Sequence, residues 1–403
     1  MSAIFDRLQA LLGAEGVERD PHGLPCAVPE SDDALVLVLQ AAADAGWRLR
    51  IEGQGSWLPA DAPADLAVST RALRRILQVS PDDLVATVEA GVPLDLLRAE
   101  LERQRLWLAI DPPGRPDRTL GSIVATGTAG PLRQGFGPVR DQVLGVSAVT
   151  GDGRLIEAGG RVVKNVAGYD LTKLHVGGFG AFGVLTAMHL RLRALPARDV
   201  TLVARGSRDT LFLAALELVR AQAGVAALEV LSPATAAGPE WTLAARLTGT
   251  AEGVESEAGQ LAAMTRVRWE RLGGEPAAAF WTLVARGPLD APVALRLGAL
   301  VDSVEEVTAL VTETLGEGLL TAGAGSGAIR WAGAPAPAAL SRLRHAAAQR
   351  EVPVTLERAP WALRQAVGHF GAYREGVGNL VTRLRGTFDP RHTFQVALEA
   401  RDG

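Results

Sequence analysis

The chain has 403 residues, with 41 Lys plus Arg against 45 Asp plus Glu for a formal net charge of −4, 48% hydrophobic residues and one cysteine. At roughly 100–200 residues per domain, this length holds two or three globular domains. The near-neutral balance argues against a nucleic-acid groove or an anionic membrane patch, both of which need clustered positive charge, and a lone Cys26 excludes an internal disulfide.

Residues 1–12 read as an amphipathic helix, because Asp6 and Arg7 interrupt the apolar core that a signal peptide would keep intact. No uncharged apolar run reaches the ~18 residues of a spanning helix, so a cytoplasmic protein without direct membrane insertion is expected. Ser31-Asp-Asp caps a helix over 35–45, and Gly46 supplies its left-handed stop. A strand at 47–51 empties into the loop Glu52-Gly-Gln-Gly-Ser-Trp-Leu-Pro59. Strands at 66–69 and 84–89, a helix at 94–104 opened by Pro93 and a strand at 107–110 complete an α/β lobe.

Beyond Asp111-Pro-Pro-Gly114 the texture changes to glycine-rich turns with short strands, and 16 of the 45 glycines fall in residues 114–183. A hairpin is expected from 143–150 through Gly151-Asp-Gly153 to 154–157, and period-two alternation predicts a half-buried strand over 188–193. Pro196 closes this part. Two βαββαβ units follow: strand 200–205, helix 208–222, strands 225–231 and 240–248, helix 251–264, strand 266–270; then strand 292–297, helix 302–314, strands 318–322 and 327–332, helix 335–349, strand 352–356. They predict one antiparallel sheet with helices on one face. A last helix, about 374–385, ends at Phe388-Asp-Pro390. The fold class is therefore α+β, in parts 1–196, 197–370 and 371–403.

Gly178-Phe-Gly-Ala-Phe-Gly183 is a literal GxGxxG, but a Rossmann fingerprint must open a helix, whereas the residues after Gly183 carry strand periodicity. The loop at 52–57 can expose consecutive amides as an anion nest, and it lacks the Lys-Ser/Thr ending of a P-loop. The six histidines are never closer than 14 residues and no HxxxH, HExxH or CxxC occurs, so no metal site is assigned. No Gly-x-Ser-x-Gly elbow is present either. Only two lysines occur, and both bracket Lys164-Asn-Val-Ala-Gly-Tyr-Asp-Leu-Thr-Lys173.

Taken in order, Ile51-Glu-Gly-Gln-Gly-Ser-Trp-Leu-Pro59, Val88-Glu-Ala-Gly-Val92, Asp111-Pro-Pro113, Thr119-Leu-Gly-Ser-Ile-Val-Ala-Thr126, Gly137-Pro-Val-Arg-Asp141, the lysine decapeptide and Val176-Gly-Gly-Phe-Gly-Ala-Phe-Gly-Val-Leu-Thr186 form a series. The series resembles the vanillyl-alcohol-oxidase (PCMH) type of FAD-binding domain, most closely in the E subunits of bacterial glycolate oxidases. The resemblance implies a two-lobed FAD-binding domain over 1–196, an α+β cap domain over 197–370 on the substrate side, and a C-terminal helix and tail, 371–403, returning to the FAD domain. By position it places the FAD pyrophosphate on Gly53, Gln54, Gly55, Ser56 and Trp57, and the flavin and ribityl chain along Pro113, Thr119, Gly121, Ser122, Ala125 and Thr126. A further FAD-lining turn falls on Gly137, Arg140 and Asp141, and the strand entry near the adenine on Gly183 and Val184.

The loop carries neither His nor Cys, so noncovalent FAD is expected. The histidine-rich cap segment of related catalytic subunits is matched here by Ala322-Gly-Ala-Gly-Ser-Gly-Ala-Ile-Arg-Trp331, without a histidine, and the family's Asn-Pro-Gly-Lys tail by Gln395-Val-Ala-Leu398. The resemblance implies a subunit of a glycolate dehydrogenase complex that oxidises glycolate or a related 2-hydroxy acid. Its partners would be a second FAD-binding subunit and an iron–sulfur subunit, through which it would meet the inner membrane. A self-sufficient FAD-linked hydroxy-acid dehydrogenase and a structural subunit with a vestigial flavin site are the alternatives. No catalytic residue is assigned; Tyr373, His369 and Arg330 are candidates for a base.

Overall fold

The computed structural model describes residues 2–161, 169–287, 291–371 and 376–396. Lys164, Asn165 and Tyr373 lie outside them.

The helix Asp32–Ala45 forms where its caps predict: Ser31 Oγ accepts from the Ala34 amide, and Gly46 turns out at φ +68°. It buries Leu35, Val38, Leu39 and Ala42, with Leu8 of the helix Ser2–Leu12 in the same core. Burying each such Leu contributes roughly 2 kcal/mol. The sheet beneath has the order Val17–Arg19, Pro25–Ala27, Leu66–Ser69, Leu49–Glu52, the last three parallel to one another. The strand Leu49–Glu52 thus ends at the sheet's edge and delivers the glycine loop there.

A second sheet is antiparallel throughout, in the order Ile76–Ser80, Val85–Glu89, Val184–Arg191, Val143–Val149, Leu155–Gly159. Its hairpin at 143–159 and its strand at 184–191 follow the expected alternation. Gly183 opens a strand, which is incompatible with a Rossmann turn. Helix Leu120–Thr126 stands where glycine-rich turns were expected: Thr119 Oγ1 caps the Ser122 amide at 3.3 Å and Gly127 ends the helix at φ +60°. Small residues let it lie close to the second sheet, for a Cβ on Gly121 would sit 2.9 Å from Ala90.

The third sheet has eight strands, all neighbours antiparallel, in the order Glu270–Gly273, Arg198–Gly206, Trp241–Gly249, Ala227–Leu231, Leu319–Gly323, Ala328–Gly333, Val293–Gly298, Val354–Arg358. The two βαββαβ units contribute four strands each and join at Ala227–Leu231 against Leu319–Gly323. Their helices Arg208–Arg220, Ala251–Met264, Val304–Leu315 and Pro337–Ala348 share one apolar core with the sheet. The expectation of helices on a single face needs correction. Helix Gly274–Arg286 packs Trp281 and Val284 on the opposite face, against Val203, Ala227 and Ala244, with the Trp281 indole donating to Thr201 Oγ1 at 2.7 Å.

Helix Val377–Phe388 leads the chain back to the first sheet. Buried Asp389 accepts from the Thr393 amide and hydroxyl at 2.8 Å each and from the Phe394 amide at 3.0 Å, and the Leu49 backbone donates to the Thr393 carbonyl and accepts from the Gln395 amide.

Candidate functional site

Two cavities meet at Trp57. The first, about 1050 Å³ with its mouth included, runs from the first sheet edge along helix Leu120–Thr126. The loop after Leu49–Glu52 forms its floor and is pinned from behind. Arg50, buried, reaches Asp20 at 2.5 Å, Glu52 at 3.2 Å and the Ala60 carbonyl at 3.2 Å. Ser69 Oγ donates to the Gly53 carbonyl at 2.7 Å. No hydrogen bond to another described residue takes up the amides of residues 53–57, which is the arrangement an anion nest requires. A Cβ on Gly53 would lie 2.2 Å from Thr119 Oγ1, so only glycine lets the loop touch the helix start.

Gly53, Gln54, Gly55, Ser56, Trp57, Gly121, Ser122, Ala125, Thr126, Gly183 and Val184 all line this cavity. Thr119 stands just behind as the helix cap, and Pro113 lines the second cavity instead. Gly137, Arg140 and Asp141 line neither; Arg140 pairs with Asp141 at 3.5 Å and its carbonyl accepts from Lys173 at 2.6 Å. The C-terminal segment does reach the cavity, through Gln395 and Val396, despite its departure from the family's tail.

Of the part of the wall that lies some 300 positions away, the sequence pointed to His369 as a candidate base but not to Arg364 or Asp61. Helix Trp361–Val367 docks on the loop: the Trp361 amide donates to Asp61 at 2.6 Å and Arg364 pairs with Asp61 at 2.7 Å. Arg364 and His369 line the first cavity. His369 stacks on Phe179 at 4.2 Å, its Nδ1 bonded to the Leu356 carbonyl. Burial, aided by Arg364 and Arg344, pushes its imidazole down to about 4, so near neutrality it is uncharged with Nε2 as an acceptor. Burial raises the Cys26 thiol to about 12, away from thiolate chemistry.

The second cavity, about 780 Å³ with its mouth included, lies between Trp57, Asp111, Pro113 and Pro131 on one side and the eight-stranded sheet on the other. Arg330 and Glu357 line it. Buried Glu357 takes Arg296 at 3.0 Å and Arg330 at 3.2 Å; burial opposes its ionisation, but the two guanidiniums win and hold it below the usual carboxylate range. Arg118 is 1% exposed and donates only to neutral oxygens, of Pro113, Ser122, Thr126 and Thr128. Its guanidinium lies 4.1 Å over the Trp57 ring. Of the candidate bases, Arg330 is here, His369 in the first cavity and Tyr373 outside the described residues. Among the described residues no three metal-ligating side chains cluster, and no helix is long and apolar enough to cross a membrane.

Glu229, buried at the back of this region, is pushed up to about 8 by burial, with Asp111 adding to the rise and Arg330 opposing it. The folded chain therefore keeps a proton that the unfolded one loses near 4.5, and stability falls as pH rises from about 4.5 to 8. Glu229→Gln should remove this slope, stabilising the protein by about 2–4 kcal/mol at pH 8 and not at pH 4. Denaturant unfolding at the two pH values checks it.

The site's chemistry fits FAD on two counts: the amides of residues 53–57 are untaken, and Gly53, Gly55, Gly121 and Gly183 line the cavity without side chains in the way. Comparison with known proteins agrees. Residues 25–159 match the model of an FAD binding domain. The glycolate oxidase subunit GlcE of Escherichia coli is 41% identical over 136 residues, 34% of this chain and 39% of that one. The subunit GlcD of Bacillus subtilis is 31% identical over 189 residues, 45% of this chain and 40% of that one. The matched segments thus span about two-fifths of these relatives. Substrate-bound p-cresol methylhydroxylase superposes with a TM-score of 0.79 at 12% identity, covering 97% of this chain and 95% of that one. Residues 25–159 are thus an FAD binding domain, set in a chain with the vanillyl-alcohol-oxidase type of fold and related in sequence to the glycolate oxidase subunits.

Proposed function

We propose that the chain is an FAD-dependent oxidoreductase subunit of a glycolate dehydrogenase type of complex, oxidising glycolate or a related 2-hydroxy acid to the 2-oxo acid. The observation that carries this reading is a pair of cavities that share Trp57 as a wall, the first lined by the loop whose amides at residues 53–57 are untaken and the second presenting Arg330. Residues 1–196 would hold noncovalent FAD, 197–370 would form the substrate side, and 371–403 would close the cofactor end. Gly53 to Trp57 would bind the pyrophosphate through their amides, with Ser122, Ala125 and Thr126 along the ribityl chain and Gly183 and Val184 at the adenine. Gly137, Arg140 and Asp141 would support that wall from behind.

Oxidation of the hydroxy acid breaks its C2–H and O–H bonds, forms the C=O bond and releases two electrons and two protons. Bound FAD supplies the two-electron acceptor. The chain's share is to orient the acid by its carboxylate at Arg330 and to exclude water with the Trp57, Pro113 and Trp331 walls. Electrons would leave through a second flavin subunit and an iron–sulfur subunit, the complex being cytoplasmic and meeting the inner membrane through those partners. Anaerobic addition of glycolate or D-lactate tests this. Bleaching of the flavin spectrum only when the partners are present supports a complex-dependent enzyme; bleaching of the isolated chain indicates self-sufficiency; a flavin unaffected in both refutes hydroxy-acid oxidation here.

A further inference from the structure

We propose that the second cavity takes a carboxylic acid bearing an apolar substituent of roughly three to five carbons, and that a two-carbon acid underfills it. This rests on the flavoprotein reading and narrows its substrate class.

The charge around the cavity calls for one anion. Arg296, Arg330 and Arg118 meet a single ionised carboxylate of their own, Glu357. Asp111, pushed up to about 6 by burial, is offset by Arg246 and Arg98, and Glu229, raised to about 8, is neutral at pH 7. A surplus of buried positive charge is costly unless a bound anion meets it. Arg330 is the member of the cluster that lines the cavity.

A second, independent feature points to a ligand. Trp57 Nε1 is buried at the same wall without a hydrogen-bond partner among the described residues. An unmade bond there is unfavourable by about 1–3 kcal/mol, and a ligand hydroxyl or carboxylate oxygen would accept it.

The rest of the wall decides the ligand's body. Leu283, Leu295, Leu319, Trp331, Pro113 and Pro131 offer side chains without a charge, and no histidine lines the cavity among the described residues. Glu357 and Asp111 on the same wall would repel a second carboxylate. Branched or straight hydrocarbon would gain roughly fourfold in affinity per buried methylene.

The test is calorimetric titration of the purified full chain, with and without added FAD, using glycolate, 2-hydroxy-4-methylpentanoate and the uncharged 4-methylpentan-1-ol. The longer acid should bind at least about 30-fold more tightly than glycolate, and more tightly than the alcohol. Arg330→Leu should weaken both acids at least about tenfold and leave the alcohol unchanged, with Arg330→Lys restoring part of the loss. Leu319→Trp should fill the cavity and erase the longer acid's advantage. Melting curves confirm that each variant is folded. Glycolate binding as tightly as the longer acid, or acid affinities indifferent to Arg330→Leu, would overturn the proposal. A chain that takes no FAD but keeps the order of affinities defeats the cofactor reading and sustains this one; a flavin-loaded chain that does not discriminate the acids does the reverse.

Discussion

Gly55→Val should yield a folded protein that retains no FAD. The backbone at this position sits at φ +67°, and a Cβ would meet nothing nearer than Glu52 Oε1 at 4.0 Å. The added side chain would therefore strike no neighbouring element, at a position that itself lines the first cavity. A β-branched residue in the left-handed region costs about 1–2 kcal/mol by itself, and the isopropyl group denies a phosphate its approach to the amides of the loop. Together these predict at least a 100-fold loss of FAD affinity, about 2.7 kcal/mol, read as the flavin-to-protein absorbance ratio and by titration with FAD. Gly53→Ala should act differently, because its Cβ would strike Thr119 at 2.2 Å. That variant should lose thermal stability as well as cofactor, since the loop and the start of helix Leu120–Thr126 can no longer touch.

Glu357→Ala should be among the most destabilising single substitutions in the eight-stranded sheet. Its side chain is 1% exposed and is the shared carboxylate of Arg296 and Arg330, whose own side chains are 22% and 18% exposed. Removing one member of a buried pair costs about 3–5 kcal/mol because the remaining charge keeps its desolvation penalty. Partial solvent access at the two guanidiniums trims this to about 2–4 kcal/mol. Urea unfolding should show a lower midpoint with an unchanged slope. Glu357→Gln, which keeps the shape and some hydrogen bonding, should cost less. An alanine variant as stable as the parent would mean that solvent, and not Glu357, balances these arginines.

Elements with strong local signals were legible from the residues alone. Ser31 and Gly46 bracket the helix Asp32–Ala45 by side-chain capping and a left-handed stop, and period-two alternation marks the strand Val184–Arg191. Helix Leu120–Thr126 was hidden because it is short and built from Gly, Ser, Ala and Thr, residues that read as a turn until Thr119 and Gly127 are recognised as its two caps. The strands Val17–Arg19, Pro25–Ala27 and Ile76–Ser80 were missed for the same reason: three to five residues carry too little periodicity.

Along the candidate site, the glycine loop and the helix behind it could be read because their chemistry is local. Arg364 and Asp61 could not, and His369 could be named as a candidate base but not placed, since their meeting at the first cavity depends on tertiary packing across some 300 residues. The second cavity was likewise invisible. Arg296, Arg330 and Glu357 sit on three different strands, and only the register of the eight-stranded sheet brings them together. Helix Gly274–Arg286, which carries Leu283 to that cavity, was missed along with it.

Whether residues 53–57 and the helix behind them hold FAD without a covalent bond is read from the visible spectrum of the chain purified under native conditions, followed by acid precipitation. A yellow protein with close to one FAD per chain is expected, all of the flavin released into the acid supernatant. A colourless protein that takes up no FAD on reconstitution, or flavin that stays with the precipitate, would contradict it.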